Sequence, residues 1–109
     1  MANKKYLSQE KLKEVQIYLK HIEAAGISFR KVILFGSFAR GIAKPWSDID
    51  ICVVSDYFGK DRYSERVKLM NIKDADTLSI EPHPYNSEDL QDKWDSLAAE
   101  IRKYGVQIA

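Results

Sequence analysis

Two short stretches of this chain hold residues whose types and spacing could do chemistry. They are Gly36-Ser37-Phe38-Ala39-Arg40-Gly41 and Ser47-Asp48-Ile49-Asp50-Ile51, with ten residues between Ser37 and Asp48. Gly36 lets the backbone approach an anion closely, and a helix opening at Ser37 would aim free N–H groups at it. The Ser37 hydroxyl can donate a further hydrogen bond, and Arg40, one turn on, could reach a phosphate oxygen. On a strand, Asp48 and Asp50 fall on one face, about 6.5 Å apart along the backbone. Carboxylates this close repel each other unless a cation lies between them. Mg²⁺ prefers hard oxygen ligands shared with substrate phosphates. Alone, each stretch reads as ordinary: a capped strand-to-helix turn, or two solvated aspartates. Together they read as a phosphate seat beside a metal seat, the parts of a nucleotidyl-transfer site.

Such a site usually needs a third carboxylate for a second metal or for the attacking hydroxyl. Asp74, Asp76 and Glu81 are the candidates. If residues 77–81 form a strand with Leu78 and Ile80 inward, Ser79 and Glu81 share the polar face. Asp76 then lies on the apolar side or ahead of the strand, so Glu81 is favoured. His83 could line the site beside Glu81, but between two prolines it reads first as a solvated loop residue. His21 has no evident partner. Tyr57 and Phe58 read as a loop anchored by core aromatics. No His/Cys cluster has zinc-ligand spacing, and no Ser/His/carboxylate arrangement points to a hydrolase.

These groups need elements to position them. Residues 8–25 read as an amphipathic helix capped by Ser8, with Leu12, Val15, Leu19 and Ile22 at helical spacing and Gly26 after its end. Lys31 to Phe35 reads as a strand ending at Gly36, and Ser37 to Arg40 as a short helix. Asp48 to Val54 is the second strand, with Ile49, Ile51 and Val53 turned into a core. Asp61 to Ile72 reads as a helix presenting Tyr63, Val67 and Met70. Thr77 to Glu81 is the third strand, stopped by Pro82-His83-Pro84. A last helix starts at Ser87, buries Leu90, Trp94, Leu97, Ile101 and Tyr104, and ends at Gly105. The order predicts an α+β domain, a small mixed sheet with helices packed on it.

The 109 residues are expected to form one domain, 1–109, with 45% hydrophobic and 30% charged residues as in an ordinary globule. A net charge of +1 supplies no broad basic field, so nucleic acid is not an expected partner. Cys52 is the only cysteine and lies in an apolar run, the place of a small core residue. No segment approaches the ~20 apolar residues of a membrane span, and a cytoplasmic location is expected.

The combined motif resembles the signature of the minimal nucleotidyltransferase branch of the DNA polymerase beta superfamily. Gly36-Ser37-Phe38-Ala39-Arg40-Gly41 is similar to that branch's Gly-Ser-x-Ala-Arg-Gly, and Asp48-x-Asp50 follows at the branch's spacing. Ile80-Glu81-Pro82-His83-Pro84-Tyr85 is similar to a later stretch of its small members, so the likeness spans residues 31–90. The resemblance implies the nucleotidyltransferase fold, with metal on Asp48, Asp50 and Glu81. Glu81 stands where many members carry Asp, which leaves metal binding in place but makes its role as general base less direct. It further implies ATP with Mg²⁺ as nucleotide, phosphates on Gly36, Ser37 and Arg40, and transfer of a nucleoside monophosphate with loss of pyrophosphate. Many such proteins pair with a helical HEPN-domain ribonuclease toxin, and some act as its antitoxin by adenylylating a tyrosine. A chain this short has no room for a template-binding or drug-binding domain, so the acceptor must come on another protein or a second copy of this one. The competing expectation is a module without turnover that binds nucleotide, or only a helical partner, and neutralises that partner by occlusion. A subunit of a nucleic-acid-modifying complex is the third, disfavoured by the near-neutral charge.

Overall fold

The computed structural model describes residues 5–109. Ser8, in extended conformation, accepts a hydrogen bond from the Lys11 N–H and opens α1, Gln9–Ala24. Leu12, Val15, Tyr18, Leu19 and Ile22 are its buried stripe. Gly26 takes φ +82° just past the end, as a C′ glycine does. The chain then runs through β1 (Lys31–Phe35), α2 (Gly36–Ala39), β2 (Ile49–Val54), α3 (Arg62–Asn71), β3 (Ile80–Tyr85), a 3-10 turn at Asp89–Gln91, α4 (Ser96–Tyr104) and β4 (Val106–Gln107). The sheet order is β3-β2-β1-β4: β1 is antiparallel to β2 and β4, and β2 is parallel to β3. The expected α+β fold with a small mixed sheet is thus observed.

The sheet carries a core on each face. Val32, Leu34, Ile49, Ile51, Val53 and Ile80 pack with the α1 stripe and Leu69 of α3. Ile33, Phe35, Cys52, Val54 and Tyr85 pack with Leu90, Ala98 and Ile101 on the other side. Cys52 is fully buried, as expected for a core residue, and burial pushes its thiol up to about 12. Helix α1 is tied down by two polar contacts as well. Tyr18 Oη donates to the Leu69 carbonyl at 2.7 Å, and Glu14 Oε2 accepts from the Ser79 N–H at 2.7 Å.

Four sequence-based expectations are corrected. The third strand is displaced: it starts at Ile80 and runs through both prolines to Tyr85, while Leu78 is 69% exposed. The Ile49 N–H donates to the Ser79 carbonyl and the Ser55 N–H to the Tyr85 carbonyl. Odd-numbered residues therefore turn their backbone groups to β2, and Pro82 and Pro84 face the open edge, where no N–H is required. Next, the last helix is two pieces. Asn86, not Ser87, caps the 3-10 turn through its bond from the Asp89 N–H, and Asp95 starts α4 by accepting from the Leu97 and Ala98 N–H groups. Trp94, in the break, is 85% exposed rather than buried, and Tyr104 is also exposed. The face of α3 bearing Tyr63, Val67 and Met70 is not the buried one; Leu69 is, and Tyr63 and Val67 face solvent. Finally, β4 follows Gly105 directly and was not anticipated.

The break between the turn and α4 is closed by charge. Arg62 of α3 stands 2.9 Å from Asp95 and 3.4 Å from Asp89, its guanidinium lies 4.2 Å from the Tyr85 ring centre, and Tyr85 Oη donates to Asp95 at 2.8 Å. Burial acts to raise the Asp95 carboxyl, but hydrogen bonds from the Ala98 N–H, Tyr85 and Arg62, with the Arg62 charge, outweigh it and hold the group below its ordinary range. A depressed carboxyl stabilises the fold fully above its unfolded value of about 3.9, and that contribution is lost as pH falls through the folded value. Asp95→Asn keeps a capping side chain and removes the charge. It is expected to cost about 2 kcal/mol at pH 7, and urea midpoints should show the gap to wild type closing below about pH 4. Tyr18→Phe should cost about 1 kcal/mol with no such pH dependence, by the same measurement. Trp46 and Trp94 are both exposed, so iodide should quench the tryptophan emission of the native protein almost as fully as that of the unfolded chain.

Candidate active site

The end of β1 makes one wall of the site. Phe38 of α2 is buried in the α1-side core and pins the turn that follows Phe35. Gly36 opens this turn at φ +72°, a conformation costly for any residue with a side chain. A Cβ on Gly36 would lie 2.3 Å from Asp50 Oδ2, so glycine here is what lets the turn sit against the carboxylate. Ser37 is half-buried in the first turn of α2, whose N–H groups have no intrahelical acceptor. Arg40 places its guanidinium 4.7 Å from the Tyr104 ring centre, so it rests on α4.

Between this turn and β2, a pinned loop carries the chain back. Lys44 N–H donates to Ser47 Oγ at 2.8 Å, Ser47 N–H to the Lys44 carbonyl at 3.0 Å, and Lys11 Nζ to the Pro45 carbonyl at 3.2 Å. Asp48 is exposed, one residue ahead of β2. Asp50 lies within β2 opposite Phe35 on one side and opposite Glu81 on the other. One row of residues thus crosses three strands, with Asp50 at its centre and Glu81 about 4.8 Å away in the backbone.

Two nitrogen-bearing side chains stand against this row, an imidazole and a guanidinium. His83 Nε2 is 3.6 Å from Asp50 Oδ1, and its ring meets Phe35 edge-on, with centroids 5.1 Å apart. Arg66 Nη2 is 3.1 Å from Glu81 Oε2. His83, expected to be a solvated loop residue, is therefore a strand residue half-buried beside Asp50. Parity was the signal for it: once the strand continues past Glu81, residues 81, 83 and 85 share a face. Arg66 had no signal of its own, because which face α3 turns to β3 is a tertiary fact.

The other carboxylates lie elsewhere. Asp74 and Asp76 belong to the turn before β3. Asp74 Oδ1 accepts from the Asp76 N–H, and Asp74 Oδ2 lies 2.8 Å from His21 Nε2, close but off-line for a hydrogen bond. His21 therefore does have a partner. Phe58 is buried and Tyr57 exposed, so one of the two aromatics anchors its loop. Asp48, Asp50 and Glu81 are hard oxygen donors of the class a divalent cation such as Mg²⁺ takes. The space that a Gly36 Cβ would fill lies against Asp50 Oδ2, so these residues fit such an ion by chemistry. Among the described residues, no three His, Cys, Asp or Glu side chains gather closely enough to share one ion.

The Gly36 turn abuts Asp50, and Glu81 stands beside Asp50 on the same mixed sheet. The chain belongs to the nucleotidyltransferase domain family, whose model matches residues 26–106. No curated protein matches it. Among solved structures it is similar to a putative nucleotidyltransferase from Sulfolobus solfataricus, at 17% identity and TM-score 0.64, covering 88% of this chain and 77% of that one. It is also similar to a chain of a toxin-antitoxin structure with AMP-PNP, at 23% identity and TM-score 0.53, covering 86% of this chain and 70% of that one. A mutant of the toxin-antitoxin MntA-HpeT is matched at 20% identity and TM-score 0.51, with the same coverage. At these identities the structures establish a shared fold. No helix among the described residues is long and apolar enough to cross a membrane.

Gly36→Ala is expected to strain the turn by about 1–2 kcal/mol and to push Asp50 out of place. Urea denaturation should report the first effect, and loss of Mn²⁺ binding the second.

Proposed function

We propose that this protein transfers a nucleoside monophosphate from ATP to a hydroxyl of a protein partner, and that the partner is a helical HEPN-domain toxin to which it is the antitoxin. The observation that carries the reading is the placement of Asp50 between the Gly36 turn and Glu81. The family match to a nucleotidyltransferase domain supports the reaction class, and the likeness to toxin-antitoxin chains supports the partner.

In this reading Gly36, Ser37 and Arg40 hold the β- and γ-phosphates, Arg40 leaving Tyr104 to do so. Asp48 and Asp50 would hold Mg²⁺, with Glu81 as the third carboxylate of the site, and the ion would supply positive charge to offset the negative charge that opposes attack at the α-phosphorus. The acceptor oxygen forms its bond to the α-phosphorus while the bond to the bridging oxygen breaks and pyrophosphate departs. The hydroxyl proton passes to Glu81 or Asp50. Both lie in a half-exposed row, open to an acceptor carried by another molecule.

A second reading, occlusion without turnover, draws on the solvent-facing Tyr63 and Val67 of α3, an apolar strip of the kind that docks partners. One experiment separates the two. α-Labelled ATP, Mg²⁺ and the product of the adjacent gene are incubated with wild type and with Asp50→Asn. Label on the partner, reduced at least about a hundredfold by Asp50→Asn, is the expected result. No label with wild type, together with undiminished protection by a variant carrying Asp48→Asn and Asp50→Asn, would establish occlusion instead.

A further inference from the structure

We propose that Arg66 withholds Glu81 from the metal seat. In the protein without nucleotide, the guanidinium neutralises this carboxylate, so Asp48 and Asp50 bind the dication without it and Glu81 stays directed at the incoming hydroxyl. The inference rests on the functional reading above and assigns a positioning role within it.

The pair joins a half-exposed Arg66 to a more covered Glu81. Arg66 follows Arg62 by one helical turn, and Arg62 is fixed by Asp95, Asp89 and the face of Tyr85. That clamp sets the rotation of the start of α3 against β3, and residues four apart share a helix face. Arg66 is thereby presented to Glu81, whose side chain is only 26% exposed. Two neighbouring carboxylates directly opposite on adjacent strands repel each other, so the Asp50–Glu81 pairing calls for a positive charge. Arg66 supplies it at Glu81 from the α3 side, and His83 stands at Asp50 from the same face of β3.

Charge counting points the same way. Asp48, Asp50 and Glu81 carry three negative charges; Arg66 contributes one positive charge and a single dication two, which closes the sum at zero. A second dication on these groups would have to displace the guanidinium.

The test uses the full chain and Mn²⁺ alone, with free Mn²⁺ followed by electron paramagnetic resonance and no nucleotide present. Wild type and Glu81→Gln should bind within about twofold of each other, and Asp50→Asn at least about tenfold more weakly. Arg66→Gln should bind about tenfold more tightly, because Glu81 is released to join the ligands. Adding Glu81→Gln to Arg66→Gln should abolish that gain, and Arg66→Lys, which keeps the charge, should stay near wild type. A structural role for Arg66 alone would lower Mn²⁺ affinity and could not produce a gain that Glu81 must be present to give. Wild-type binding that Arg66→Gln leaves unchanged or weakens overturns this inference and spares the functional reading. Glu81→Gln weakening Mn²⁺ as strongly as Asp50→Asn does so too. Wild type binding Mn²⁺ no better than Asp50→Asn overturns both.

Discussion

The structure depends on a mutual repulsion that it must tolerate. Asp50 and Glu81 are register partners on parallel neighbours, so two like charges lie side by side near the end of one sheet. Bare, such a row favours slipping β3 by one residue, which would also expose Ile80. The molecule resists with a compensating guanidinium and with anchors remote from the charges. Arg66 answers Glu81 directly, and the His83 ring stands 3.6 Å from Asp50. Ile80, Ile49 and Ile51 on the reverse face fix the register by burial, and Glu14 fastens the backbone at Ser79. Stability on one side of the sheet thus supports a strained arrangement on the other, which is where proteins usually keep their chemistry.

Much of this was readable before any coordinates. The boundaries of β1 are those of its β-branched and aromatic run. Alternation along β2 turned Ile49, Ile51 and Val53 into the core and Asp50 to the other face, as side chains alternate along a strand whatever the tertiary setting; that Glu81 lies opposite Asp50 is set by the register of β3. Ser8 and Gly26 bracket α1 as capping chemistry requires. What stayed illegible depended on neighbours. Pro82 and Pro84 look like strand breakers until β3 is known to be an edge strand with their backbone nitrogens turned to its open side. Trp94 and Leu97 share a helical spacing, but the 3-10 turn stops at Asp92 and Asp95 opens a separate helix, and local capping overrode periodicity.

The α3 face illustrates a different limit. Tyr63, Val67 and Met70 form an apolar stripe at helical spacing, and the helix itself forms where that pattern places it. The buried position nonetheless belongs to Leu69, whose carbonyl accepts from Tyr18, while Arg62 and Arg66 of the same helix meet acidic partners at the start of α4 and on β3. Burial of Leu69 and this ionic pairing agree on which side of an ambiguous helix meets the sheet. The same pairing connects that choice to the site, since turning α3 would remove the guanidinium from Glu81.

The outer border of β3 has a consequence for how this molecule meets others. A strand at a sheet margin ordinarily offers a ladder of amide donors on which a foreign strand can template itself, an opening for aggregation. With imino residues at two successive outward positions, that ladder lacks its rungs. At those two positions a foreign strand would meet carbonyl acceptors but no N–H donors, so edge-to-edge pairing on that flank is weakened.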